Sequence, residues 1–231
     1  MANILEIKDL TKKYGRKKAL NNFSLEVEGG KVIGILGPNG SGKTTLIKLI
    51  TGLIHQNSGS LLVDGEKVGV YTKEIVSYLP DRNFLYRWMN VKDAINFYND
   101  FYENFDKDKA YRLLEFMELD KDMDIDDMSK GMKERLNLAL VLSRKAKLFI
   151  LDEPIAGVDP VARDKILDAI INNYTDDATL LITTHLVKDM ESIFDDVIFL
   201  KDGEIALMGN AEDLRNERKM QIDDLYKEIF R

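Results

Sequence analysis

Residues 37–44 read G-P-N-G-S-G-K-T, a complete G-x-x-x-x-G-K-[ST] run, and no other feature limits the fold of this chain so tightly. It lies between "KVIGIL" (31–36), nearly continuous in apolar residues, and "TTLIKLITGLI" (44–54), whose spacing is helical. A strand covered on both faces, then a glycine turn, then a helix is the order such a loop requires. Each residue type has a task. In the loop Gly37, Pro38, Asn39, Gly40, Ser41 and Gly42, the glycines let backbone N–H groups converge on phosphate oxygens, in torsions a Cβ would oppose. The helix N-terminus adds the positive end of its dipole. Lys43 reaches the β and γ phosphates, and the Thr44 hydroxyl offers a Mg²⁺ ligand. A ligand-free glycine turn would use none of this pattern. A nucleoside triphosphate site is expected.

The remaining elements follow from periodicity. "ILEIKDL" (4–10) and "FSLEVE" (23–28) read as strands before the loop, "GSLLVDG" and "VSYLP" as strands after it. From about Asn90 the period turns helical. Asn90 is placed to cap "VKDAINFYNDFYENF", "KAYRLLEFMEL" (109–119) keeps an i, i+3, i+4 stripe, and a third helix starts at Ser129. Strands return at "LFILDE" (148–153) and "TLLITTH" (179–185), separated by the helical pattern of "VARDKILDAIINNY". A short strand pair flanks Asp202-Gly203, and a polar helical tail begins near Ala211. Strands joined by crossover helices imply a doubly wound α/β core. One domain is expected over 1–231, its catalytic core at about 1–83 and 146–231, with an all-helical insert at about 84–145.

Composition removes several function classes. Cysteine is absent, which excludes disulfides and thiolate sites, and the two histidines, His55 and His185, make a multi-histidine zinc site a poor fit. A net charge of −7 argues against a nucleic-acid partner, and none is expected. No apolar run approaches the roughly 20 residues that span a bilayer, and "MANILEIKDLTKKYG" lacks the plan of a signal peptide. The acidic run 120–128 opens like a calcium loop. It has Ile125 where the sharp-turn glycine belongs and Gly131 where the closing glutamate belongs, so a solvated loop is expected.

"LFILDEP" (148–154) sets Asp152 and Glu153 side by side at a strand end. Strand side chains alternate, so the two point the same way only if the strand is already ending. Two jobs follow: Asp152 on Mg²⁺, and Glu153 polarising an attacking water. Two buried carboxylates without a cation would be costly. His185 closes the next apolar strand and should reach the same sheet edge, where ligands gather, to sense the γ-phosphate or the water.

These motifs, in this order, resemble the ATP-binding subunit of an ABC transporter over essentially the whole chain. "GPNGSGKTT" is similar to the family's Walker A loop, "LFILDEP" to its Walker B strand, "AGVDP" (156–160) to its D-loop and "ITTH" to its switch. The resemblance implies a P-loop NTPase core, a mostly parallel sheet with an N-terminal antiparallel β part, plus the helical insert. It implies ATP and Mg²⁺ as cofactors. Lys43 would hold phosphates, Thr44 and Asp152 the metal, Thr45 the α-phosphate side, and Glu153 would be the general base with His185 beside it. Tyr14, in "LTKKYG", falls where the family stacks an aromatic ring on adenine, and Asp159 where it contacts a partner subunit.

The family's signature, L-S-G-G-Q, appears here as "MSKGM" (128–132), keeping Ser129 and Gly131. Both sit at a helix N-terminus, suited to an anion. By resemblance they meet the γ-phosphate held by the opposite protomer, so the working enzyme is a homodimer or heterodimer. Subunits reading "SKGMK" resemble those paired with separate export-type permeases. The expected function is ATP hydrolysis energising transport, with export the expected direction, through an integral-membrane permease. The subunit would then be cytoplasmic and peripheral on the inner face of the cell membrane. A soluble, non-transport ATPase of the same family that remodels a protein or nucleic-acid complex is the alternative. In the family, the strand before the insert ends in a glutamine at the metal; Asp81 stands there in "VSYLPDRNFLY". Asp81 has two readings, a water-mediated Mg²⁺ contact or a plain turn residue. Phe84, Tyr86 and Trp88, just beyond it, either face the permease or pack the insert.

Overall fold

A computed structural model describes residues 2–174 and 177–231. Among them, strands form two sheets. In the smaller, β1 (Asn3–Tyr14) pairs antiparallel with β2 (Lys17–Glu28) on one side and β4 (Ser58–Val63) on the other, and β5 (Glu66–Lys67) follows β4. The larger contains β3 (Val32–Leu36), β6 (Val76–Leu79), β7 (Leu148–Asp152), β8 (Thr179–Thr184), β9 (Asp196–Lys201) and β10 (Glu204–Asn210). Its order is β10-β9-β3-β8-β7-β6, parallel throughout except for the antiparallel edge strand β10. This is the P-loop NTPase arrangement, with the antiparallel part at the N-terminal end.

The helices are α1 (Lys43–Ile50), α2 (Val70–Ile75), α3 (Val91–Phe101), α4 (Lys107–Phe116), α5 (Lys130–Leu142), α6 (Pro160–Asn173), α7 (Val187–Met190), α8 (Ala211–Arg218) and α9 (Ile222–Phe230). The parallel strands are apolar on both faces because both are covered. Alternate residues of one strand serve two separate cores. Phe149 and Leu151 of β7 face a core shared with α3 to α6, while Leu148 and Ile150 face one shared with α1 and the smaller sheet. The helical segment thus packs into the same core as one face of the large sheet. Among the described residues no helix is long and apolar enough to cross a membrane.

Several boundaries differ from the sequence reading. The first hairpin is much longer than the 4–10 and 23–28 expected. Lysines at 12, 13, 17 and 18 and several register shifts erase the apolar alternation, yet the ladder runs on to Tyr14↔Lys17 because backbone pairing needs no apolar side chain. Helix α1 stops at Ile50 rather than at residue 54. Gly52, at φ +71°, lets its own N–H reach Leu49 O (3.1 Å) and the Leu53 N–H reach Lys48 O (2.9 Å), a Schellman closure. Helix α4 starts two residues before the 109 expected, capped by Asp106, whose carboxylate accepts from Lys109 N at 2.8 Å. Helix α2 was not foreseen; six residues are too few to show a helical period. Asn90 and Ser129 cap α3 and α5 as expected, accepting from Asp93 N (2.8 Å) and Met132 N (3.2 Å).

A buried arginine joins insert and sheet. Arg144 donates to Val76 O (2.7 Å), Glu74 O (2.8 Å) and Asn104 Oδ1 (3.1 Å), and its guanidinium lies 3.9 Å from the Tyr102 ring centroid. Arg144→Leu strands these carbonyls. The expected loss is about 3 kcal/mol, read as a fall of roughly 6–12 °C in Tm by differential scanning calorimetry.

Candidate nucleotide site

The carboxyl ends of β3, β6, β7 and β8 come to one edge of the sheet, the edge at which ligands bind in open α/β sheets. The 37–42 loop leaves β3 there and feeds α1. Gly42, at φ +114°, leads into that helix, and a Cβ on it would lie 2.7 Å from Ala19 O. Lys43 is buried; its ammonium donates to Gly37 O (2.6 Å) and Pro38 O (3.3 Å) and lies 3.9 Å from Glu153 Oε1. Burial pushes this ammonium below its ordinary pKa, while the charges of Glu153 and Asp152 oppose the shift.

Strand β7 ends at Asp152, and the next residue turns out of it. Glu153 takes φ +54°, a left-handed torsion that costs a non-glycine residue about 1 kcal/mol. The turn releases the two carboxylates from strand alternation. Asp152 is fully buried. One oxygen accepts from Thr183 Oγ1 on β8 at 2.5 Å, and the other, Oδ2, has no hydrogen-bond partner. Burial raises its pKa, Thr183 opposes this, and the charges of Asp81 and Glu153 add to it. Glu153 Oε2 lies 2.9 Å from His185 Nδ1 and 3.3 Å from His185 N. A carboxylate only accepts, so Nδ1 is the donor in this contact.

A groove of about 310 Å³ opens over this edge, lined by Tyr14, by Asn39, Gly40, Thr44 and Thr45 of the loop and helix start, and by Asp81, Asp152 and Glu153. Lys17 and Ala19 also line it, and the sequence reading missed both. No local signal marks either, because the hairpin arms that carry them lack apolar alternation; the observed pairing sets Lys17 opposite Tyr14. Ser41 is buried inside the loop with its Oγ unpartnered. Two buried oxygens without partners, Ser41 Oγ and Asp152 Oδ2, fit a phosphate group and a hard cation respectively. Among the described residues no group of three or more acidic or histidine side chains could hold a metal ion.

The other expected residues lie outside this groove. Asp159 caps α6, its Oδ1 accepting from Ala162 N at 3.1 Å. Its Oδ2 lies 3.8 Å from where a Cβ on Gly131 would stand, so the Ser129–Gly131 turn and the 156–160 loop are neighbours in one chain. The aromatic cluster divides. Phe84 is partly buried, 6.0 Å from the Tyr98 ring, whereas Tyr86 and Trp88 stack on each other in the open.

The ABC transporter family pattern matches residues 20–156. The ABC transporter ATP-binding protein YxlF of Bacillus subtilis (strain 168) is 32% identical over 224 residues, 95% of this chain and 75% of that protein. The lantibiotic transport ATP-binding protein SrtF of Streptococcus pyogenes is 30% identical over 207 residues, 88% of this chain and 90% of its own length. A solved ATP-binding subunit of an ABC transporter superposes with a TM-score of 0.88 at 26% identity, over 98% of this chain and 99% of the other. The chain therefore belongs to the ABC transporter family, as one of the ATP-binding subunits that are its ATPases.

Proposed function

We propose that this subunit uses ATP and Mg²⁺ to drive export through a separate integral-membrane permease, as a peripheral component on the cytoplasmic face of the cell membrane. The whole chain acts as one nucleotide-binding domain, with 84–145 as its helical insert. The solved ATP-binding cassette MJ0796 is dimeric, and cbiO1 of Clostridium perfringens is part of an ABC transporter complex, which supports a dimer acting with transporter subunits here. In this reading Ser129, Gly131 and Asp159 belong to the dimer interface, whether the partner is identical or not. Their position together, away from the groove of their own chain, supports it. The "SKGMK" turn, which resembles that of subunits paired with export-type permeases, supports the direction.

One observation carries the link to a permease. Asp81 lines the nucleotide groove and also a trough of about 590 Å³ over Tyr78, Phe84, Tyr98 and Tyr102, between sheet and insert. A partner seated in that trough touches the loop that reaches the nucleotide. Tyr14 stacks on the base, Lys43 and the loop N–H groups hold the phosphates, and Thr45 holds the α-phosphate side. Thr44 and Asp152 would hold Mg²⁺, with Asp81 reaching it through water, and the bound cation would neutralise phosphate charge. Glu153 takes the proton of the attacking water on Oε1 while His185 holds Oε2. Purification from solubilised membranes tests the reading: a polytopic partner that raises ATP turnover is expected, and a partner set of soluble proteins alone overturns it.

The metal role of Asp81 has its own test. Losing a charged contact to the cation costs about 1.5 kcal/mol or more, so Asp81→Ala should raise the Mg²⁺ needed for half-maximal turnover about tenfold. An unchanged Mg²⁺ requirement returns Asp81 to the role of a turn residue.

A further inference from the structure

Among the described residues a third buried side-chain atom lacks a partner, and it lies outside the nucleotide groove: Oδ1 of Asn137 on α5. Asn137 is fully buried between Leu136 and Leu138. Its Nδ2 donates to Asn83 Oδ1 at 3.3 Å. Asn83 is exposed, two residues beyond Asp81, and the same oxygen also accepts from Leu85 N at 3.3 Å. Glu134, one turn earlier on that face of α5, lies within the field of Asp81. Burial holds its carboxyl above the ordinary range, Lys130 opposes this and Asp81 adds to it. Helix α5 therefore meets the segment just beyond Asp81 through the Asn137–Asn83 hydrogen bond.

As a stability element Asn137 is a poor choice. A buried amide oxygen without a partner carries its full desolvation cost, and leucine, of similar size, would remove it among apolar neighbours. Asn83, being exposed, would find water instead. A buried polar group left unsatisfied where two parts of a protein meet calls for a functional account. We propose that Asn137 is a positioning residue for ATP hydrolysis. Through Asn83 it ties the loop carrying Asp81 to α5, and its free oxygen gains a partner when bound nucleotide draws that loop toward the phosphates. Ser129 caps the same helix, so the shift reaches the signature turn. The proposal rests on Asp81 facing the nucleotide.

Asn137→Leu in the full chain is the test. Its nucleotide-free Tm should stay level or rise, ATP affinity should hold, and kcat should fall by about 2- to 30-fold, the range of coupling effects between packed elements. Asn83→Ala should lower kcat similarly, and the double variant should fall no further, since the two side chains act as one. Unchanged kcat in Asn137→Leu overturns the proposal. So does a loss of kcat that tracks a loss of Tm, or a fully additive double variant. Asp81→Ala separates the two readings: normal turnover and Mg²⁺ requirement there remove the assignment of Asp81, whereas the Asn137 and Asn83 variants alone decide the role of Asn137.

Discussion

Glu153→Gln is expected to lower ATP turnover by about 10²-fold or more while ATP still binds, the usual size of a lost general base. The amide keeps the volume and still meets His185, but it has no basic oxygen for the water's proton. The geometry separates this effect from misfolding. Glu153 already occupies a left-handed torsion, held by its N–H on Thr183 O at 3.0 Å, and glutamine sustains both. Single-turnover assays read the chemical step, and nucleotide titration reads binding. Near-normal turnover would remove Glu153 from the role. With hydrolysis blocked, ATP should also hold two subunits together, so the variant should elute as a dimer in ATP by size-exclusion chromatography. A profile that ATP leaves unchanged would count against a shared site.

Lys43→Ala should act on binding instead. Its ammonium is buried against the loop, donating to Gly37 O and Pro38 O, and truncating a buried charge contact costs roughly 2–5 kcal/mol, or about 30-fold or more in Kd. Thermal shift makes this visible. At about 100 times the wild-type Kd, ATP should stabilise the wild-type protein by about 2.7 kcal/mol, and the variant by less than about 1 kcal/mol. Circular dichroism without nucleotide is the control for folding. A full ATP-induced shift in the variant would show that Lys43 does not hold phosphate.

Much of the fold could be read from local pattern. Continuous apolar strands, the glycine loop between strand and helix, and the caps at Asn90 and Ser129 are signals carried within a few residues. The failures have the same origin. The hairpin arms around Gly15 carry no apolar alternation, and α2 is too short for a period, so both depend on neighbours distant in sequence. At the site, residues 43, 44, 152, 153 and 185 could be singled out from the sequence because their types suit phosphate and metal chemistry, and the structure brings the elements that carry them to one edge of the sheet. Lys17 could not, because an exposed lysine has no local mark that distinguishes a groove wall from a solvated surface.

The sequence by itself determined the order of elements, the glycine loop between β3 and α1, and the ends of β7 and β8 as the candidate place of chemistry. Loop torsions, strand burial and caps are short-range properties, and short-range physics settles them. Only the tertiary structure decided how Asp152 and Glu153 diverge. The left-handed turn at Glu153 aims one carboxylate at Lys43 and His185 and leaves the other against Thr183 with a free oxygen. It also decided that Asn137, an ordinary polar residue on a helix, lies buried against the loop beyond Asp81. Such placements depend on register and close packing between segments far apart in the chain, and no local pattern encodes them.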